Sequence, residues 1–365
     1  MLDLEELRIS NVPEVVIISV TTLRDYEIEG FIDKGNNSYV FTGRNVLSGQ
    51  RVALKYYYGS HEEVQLLAPI QNDNVLRVLG AHSVDQDYSY YITPEITYGD
   101  IDEAISSKSL SLREGVEVVK GVLQGLVPLH SSGLVHRDLK PANLLLGDNK
   151  QPIIADFGSV KAIPDGADHV NASRHAQLYK PPEAHDFDSY FCSSDLYQVG
   201  LVMFQVLYGY LPYDPSEWLS NRQLQVFLEL EPYERSVHLD RLFYRRAKAR
   251  EQAKISTLPE YIPKALVGVI QTALRPDHTK RFQTCSGFLG TLHNLGVMPD
   301  WKELGEGEVV LYNFHGLDYR IIRDGNVYKA QKKRSNLNNW RNIHSIRTGA
   351  KGQVINQLKT VLELQ

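Results

Sequence analysis

The stretch LVHRDLKPANLLL, Leu134 to Leu146, sets the tightest limit on how this chain can fold. It places His136, Arg137, Asp138, Lys140 and Asn143 within eight residues and walls them on both sides with apolar side chains. Apolar flanks of this kind seek burial, and charged heads between them stay buried only when paired or aimed at a solvated cleft. The segment is therefore either a charged surface turn or a short loop pinned at both ends, with its polar heads converging on one site.

The rest of the chain is long enough to build such a site. With 365 residues, it exceeds one ordinary domain. Hydrophobic residues make up 42% and charged residues 23%, a composition that supports packed cores and excludes long disorder. The two cysteines, Cys192 and Cys285, lie far apart and in no metal-ligand spacing. That argues against a disulfide framework or a zinc site and for a reducing compartment. The start, MLDLEELRIS, is acidic where a signal peptide would be basic. EVVIISV is too short to span a membrane and reads as a strand. LVMFQVLYGYLPY contains Gln205 and reads as a buried helix rather than a span of roughly 20 apolar residues. The expectation is a soluble, cytoplasmic protein with no membrane partner.

Local patterns divide the chain into four parts. Residues 1–25 form an N-terminal segment. Residues 26–97 are β-rich: RVALKYYY and SYYIT have strand composition, and HEEVQLLAPI is the one helical interruption. Residues 98–296 are mostly helical. There SLREGVEVVKGVLQGLVPLHSSG opens with Ser111 and a glutamate three residues on, a capping-box pattern, and closes on Gly133. Residues 297–365 change character again, with EVVLYNF as a strand, YRIIRDGNVYKA as a hairpin turning at Asp324-Gly325, and KGQVINQLKTVLEL as a helix. Ligands often bind between two lobes such as the second and third parts.

The opening stretch has ordered companions. VALK, with Lys55, precedes it. IIADFGSV, with Asp156 and Phe157, follows it. Further on come YKPPE with Glu183, SDLYQVG with Asp195, GYLPY, and RPDHTKRF with Arg281. In this order and spacing the set resembles the protein-kinase family over about residues 26–295. The resemblance implies an α+β, bilobal kinase fold with a β-rich N-lobe and a helical C-lobe, here extended by a small C-terminal α+β module. It implies transfer of the γ-phosphoryl group of ATP to protein hydroxyls, with Mg²⁺, and autophosphorylation through transient self-association.

Phosphoryl transfer needs cations against phosphate charge and a group that positions the nucleophile. Asp138 would accept the hydroxyl hydrogen of a protein substrate, and Lys140 would steady the migrating group. Asn143 and Asp156 offer hard oxygen ligands suited to Mg²⁺. Lys55 would hold the α- and β-phosphates, fixed by Glu63; Glu62 is the competitor, and the spacing to Leu66-Leu67 favours Glu63. Gly35, Val40, Ala53, Leu145 and the backbone of Glu95 and Ile96 would enclose the nucleotide. Glu183 and Arg281 resemble the family's buried ion pair. Asp195 would tether the catalytic loop, and His136 and Phe157 would pack the interior. Lys140 in DLKPAN favours Ser/Thr over Tyr as acceptor. Arg137 is placed to bind an activation-loop phosphate, for which Ser173 is the candidate, with Ser159 second.

Three positions depart from the family pattern. In the phosphate-covering loop, DKGNNSYV, the family's three glycines fall on Asp33, Gly35 and Ser38, so only the middle one matches. Ala176 stands where a threonine usually bridges Asp138 and Lys140. Pro94 stands near the gate of the adenine pocket, where it removes an N–H.

The C-terminal strip has its own signal. Residues 319–351 hold nine Lys/Arg against one acid, a net +8, leaving −13 on the rest of a chain whose net charge is −5. Basic residues interleave with Tyr319, Tyr328 and Trp340, a composition suited to nucleic acid. An acidic protein, the acidic remainder of this chain, or plain solvation fits the same charge. RLFYRRAKAREQAK, from Arg241, reads as an amphipathic helical insert and a second docking candidate. Two other functions remain: a pseudokinase scaffold, and a kinase-regulated nucleic-acid-binding protein.

Overall fold

The computed structural model describes residues 7, 9–33, 38–59, 61–172 and 177–364, the side chains of Asp33 and Glu306 aside. Its first lobe is a five-stranded antiparallel sheet of β1 (Tyr26–Asp33), β2 (Ser38–Asn45), β3 (Arg51–Tyr58), β4 (Gly80–Ser83) and β5 (Tyr88–Pro94), in the order β1-β2-β3-β5-β4. Strand alternation gives the sheet two faces. On one, Phe41, Val52, Leu54 and Tyr56 are buried in an apolar cluster; on the other, Val40, Ala53 and Lys55 point toward the cleft between the lobes. Lys55 lies inside β3 rather than at its end.

The buried face is covered by a helix, and this overturns the strand reading of EVVIISV. Glu14–Thr22 (α1) is helical, following Pro13 in an extended conformation. Val16, Ile17 and Val20 share one face and pack against Phe41, Leu54 and Tyr56, while the Ser19 hydroxyl meets that of Tyr56 at 3.0 Å. β-branched residues cost a helix at most about 0.7 kcal/mol each. Burying each Val or Ile returns about 1.5–3 kcal/mol, so packing overrides propensity. The short α2 (Glu62–Leu67) flanks the opposite face.

The second lobe is helical. Its axis is α3 (Leu112–Ser131), opened by the Ser111–Glu114 capping box and closed near Gly133 at φ +69°. Gly121 and Gly125 on α3 let a hairpin, Leu144–Leu146 paired with Pro152–Ile154, press directly on the helix. A Cβ at Gly121 would lie within 2.4 Å of Pro152, and one at Gly125 within 2.7 Å of the Asn74 carbonyl. Next to α3 lies α4 (Cys192–Val206), nearly all of it buried. The expected insert is a longer helix that starts and stops earlier, α5 (Pro232–Ala249), ending on Arg250 in the left-handed region. It leans on the segment around residues 177–186 through Gln177–Ser236 and Lys180–Asp240. α6 (Cys285–Asn294) completes the lobe.

The C-terminal part is a five-stranded antiparallel meander, from Asp300–Glu303 to Arg341–Asn342, with a helix (Lys351–Val361) against it. Its hairpin pairs Asp324 with Val327, so the two turn residues are Gly325, at φ +61°, and Asn326, one position later than Asp324-Gly325. It shares one continuous apolar core with the helical lobe: Trp301 stacks on Tyr261 at 5.6 Å, and Lys108 reaches Glu303 at 2.9 Å. None of the strip's Lys or Arg residues is buried in that core. Strand alternation buries Tyr319 with Ile321 in the core, which removes it from the basic surface. Trp340 lies between Arg320 at 4.4 Å and Lys333 at 5.1 Å.

Glu183 and Arg281 form a buried bidentate pair, both contacts at 2.7 Å, with the guanidinium over the Tyr197 ring. Removing one partner strands a charge in the interior. Arg281→Ala is expected to cost about 3–5 kcal/mol in urea unfolding; a loss under 1 kcal/mol would show that the pair contributes little.

Candidate active site

Two loops and one strand bring the chemistry together. The Leu134–Leu146 stretch does form a pinned loop: Leu134, Val135, Leu144 and Leu146 are buried at its flanks and Leu139 at its centre. Asp195, at the start of α4 and fully buried, holds it from below by accepting the backbone N–H of His136 and of Arg137, each at 2.9 Å. Gln198, one helical turn along the same face, accepts the N–H of Leu139 at 2.8 Å and donates to the Arg137 carbonyl. This clamp lets Arg137 sit at φ +70°, a conformation that a non-glycine residue adopts only when its surroundings impose it.

Within the loop, Asp138 Oδ2 meets Lys140 Nζ at 2.8 Å and Asn143 Nδ2 at 2.9 Å. Asp138 Oδ1 is buried with no hydrogen-bond partner among the described residues. The direct Asp138–Lys140 contact needs no bridging threonine. Ala176, and with it Ser173, lies outside the described residues, as does Gly35 of the segment expected to cover phosphate.

Asp156 follows the Pro152–Ile154 strand at φ +58°, again left-handed, with its carboxylate half-exposed. Lys55 connects the lobes: its Nζ lies 3.0 Å from Glu63 and 3.2 Å from Asp156. Tyr91 donates to Glu63 at 2.8 Å and fixes the carboxylate. Glu62 pairs with Lys161 at 2.7 Å instead. Burial opposes the charge on Lys55, but Tyr91, Glu63 and Asp156 outweigh it and raise the amine above its ordinary value. Burial pushes Asp156 up, and Lys55, helped by Lys140, more than reverses this and holds it below the usual carboxylate range. Both groups are ionised at neutral pH.

Val40 and Ala53 share the Lys55 face of the sheet, and Leu145 is the half-buried residue between buried Leu144 and Leu146. Glu95 donates its N–H to the Arg51 carbonyl and pairs its side chain with Arg51, so its backbone carbonyl is the group left for a ligand; Ile96 is half-buried beside it. His136 is buried and meets Phe157 edge-on at 5.2 Å. Burial lowers its basicity, so it packs as a neutral ring. The Arg137 guanidinium donates to the Ser159 and Asn171 carbonyls.

Sequence reasoning missed Tyr91, Gln198 and His130. Gln198 was visible as the residue one turn after Asp195. His130 lies at the end of α3 and meets Asp195 at 2.8 Å. Burial opposes its protonation, yet Asp195, with thiol contacts from Cys192 and Cys285, raises it well above the ordinary histidine value. Asp195 is held low in return: burial pushes it up, and His130 prevails.

A raised histidine stabilises the fold fully below its unfolded value, about pH 6.5, and loses that contribution as pH rises through the folded value. A lowered carboxylate contributes above about pH 3.9 and loses it as pH falls. The pair is therefore strongest between those limits. In urea unfolding, the stability gap between the parent and His130→Gln is expected to narrow from pH 6 to pH 9; a gap independent of pH would refute a charged His130.

Residues 26–289 match the family model described as protein kinase domain. The chain is 24% identical over 202 residues to the serine/threonine-protein kinase TIO of Arabidopsis thaliana, covering 52% of this chain and 15% of that protein. It is 26% identical over 276 residues to a protein kinase and PP2C-like domain-containing protein of the same plant, covering 68% and 40%. It is 28% identical over 230 residues to the plant's serine/threonine-protein kinase Aurora-1, covering 58% and 75%. The chain thus spans well under two thirds of the first two relatives.

Proposed function

The chain belongs to the protein kinase family, and on that premise we propose that it transfers the γ-phosphoryl group of ATP to serine or threonine hydroxyls of proteins, with Mg²⁺. The observation that carries this reading is Asp138. One carboxylate oxygen is engaged by Lys140 and Asn143, and the other is buried without a donor. An unpartnered buried acceptor is costly, and the hydroxyl of a substrate is the donor that would satisfy it. Asp138 would then orient that hydroxyl and take its proton, while Lys140, 2.8 Å away, balances the charge.

The metal fits the residues present. Asn143 spends its amide nitrogen on Asp138, which leaves its carbonyl oxygen; Asp156 supplies an ionised carboxylate with half its side chain exposed. Two hard oxygens of this kind suit Mg²⁺, which when bound neutralises phosphate charge. Lys55, poised between Glu63 and Asp156, would bind the α- and β-phosphates, and Val40, Ala53 and Leu145 would line the adenine side. Proteins bearing acceptor hydroxyls are the partners this reading needs, and autophosphorylation, with Ser173 as the expected site, needs only transient pairing of two copies. No helix among the described residues is long and apolar enough to cross a membrane.

Incubation with Mg²⁺, γ-labelled ATP and generic protein substrates tests the reading. Label should enter serine or threonine, and Asp138→Asn should reduce the rate by about 10²–10⁴-fold. Label on tyrosine alone would refute the acceptor class. Equal transfer by parent and mutant, or none by either, would favour a scaffold. Phosphate mapped only to residues other than Ser173 would refute that site.

A further inference from the structure

The nine Lys and Arg residues of 319–351 divide in two by their partners. Arg320 meets Glu308 at 3.6 Å, Lys329 meets Asp324 at 3.0 Å, Lys333 meets Asp318 at 3.4 Å, and Lys351 meets Glu303. Arg323 donates to the Gly325 carbonyl. The side chains of Lys332, Arg334, Arg341 and Arg347 are exposed and have no hydrogen-bond or ion-pair partner among the described residues.

Three of those four share one face of the C-terminal sheet. Lys332 and Arg334 are two residues apart on the strand Val327–Arg334, so they project to the same side, about 7 Å from each other. Arg341, on the edge strand Arg341–Asn342, stands directly opposite Lys332. That pairing sets two Cβ atoms about 4.5–5.5 Å apart, and like charges so placed destabilise a sheet. On the opposite face the cations Arg320, Lys329 and Lys333 each have their acid. The chain thus matches its charges on one face and leaves a compact, self-repelling triad on the other.

We propose that Lys332, Arg334 and Arg341 form a receptor for a phosphorylated serine or threonine side chain on a partner protein. A phosphate monoester brings about −2 charge and three acceptor oxygens, one for each cation. An arginine fork meets such oxygens in bidentate fashion. A carboxylate offers less, with one charge and two oxygens. A nucleic-acid strand would need a continued track of cations for its successive phosphates and rings for its bases. Here the next cations along the sheet are already matched by acids. Of the rings, Tyr319 is buried and Trp340 is engaged between Arg320 and Lys333. A single dianion relieves the repulsion between Lys332 and Arg341 without either requirement. Binding requires no phosphoryl transfer by this chain, so it stands or falls separately from the proposed activity.

The test is fluorescence polarisation of the full chain with three labelled probes. They are a degenerate peptide library centred on phosphoserine, the same library centred on serine, and a single-stranded oligonucleotide of equal length. The phosphorylated library should bind at least about tenfold more tightly than the serine library. Lys332→Gln, Arg334→Gln and Arg341→Gln should each weaken it about fivefold or more. Lys329→Gln removes the same charge from the opposite face and should leave binding unchanged. Equal binding of the two libraries, tighter binding of the oligonucleotide, no binding at low salt, or a loss in Lys329→Gln as large as in the others would each overturn the proposal. Urea unfolding without peptide gives a second readout. Lys332→Gln and Arg341→Gln should unfold at the same or higher urea than the parent, because each relieves the repulsion. A lowered midpoint in either would show that these charges serve the fold, and would also overturn it.

Discussion

A single buried carboxylate organises the catalytic half of this molecule. Asp195 is fully enclosed, and it accepts two backbone N–H groups, the His130 ring and the Tyr190 hydroxyl. A charge this deep would be expensive without those donors. With them, it converts the cost of burial into a constraint on backbone position. The loop above it then carries Arg137 in a left-handed conformation and delivers Asp138, Lys140 and Asn143 at contact distance from one another. Helix α4 supplies both Asp195 and Gln198 from one face, so the loop inherits the rigidity of a buried helix rather than depending on its own short-range contacts.

Charge also bridges the lobes. Lys55 joins the sheet to Glu63 on α2, which Tyr91 also reaches, and to Asp156 beyond the cleft, at 3.0 and 3.2 Å. Both contacts sit at a partly solvated boundary, where an ion pair contributes far less than in a core. The loop is thus held by buried hydrogen bonds, while the lobes are joined both by this partly wetted charge and by the chain around Val75, which packs in the helical lobe's core and hydrogen-bonds Ile154 through Asn74 and Leu76.

Much of this was legible in the sequence because local chemistry and chain order agreed. The apolar walls of LVHRDLKPANLLL predicted a pinned loop, and β-rich and helical compositions marked the two lobes. The failures share a cause. EVVIISV looks like a strand by residue type, but its helical face is fixed by a sheet that only forms later in the chain. Tyr319 was counted with the basic strip because composition ignores strand parity, which pairs it with Ile321 in the core. The hairpin turn slipped by one residue because Asp-Gly and Gly-Asn both make tight turns. His130 carries no local signal at all: its meeting with Asp195 and Cys285 is a property of three helix ends, not of any segment.

The continuous core beneath the C-terminal meander has a mechanical consequence. Trp301 on Tyr261 fuses that sheet to the helical lobe with no slack between them. The exposed cations Lys332, Arg334, Arg341 and Arg347 are therefore carried on a fixed arm rather than a tether. Anything they capture would arrive at a set bearing from the cleft. Reach and angle, and not local concentration alone, would then decide which hydroxyls come within range of Asp138.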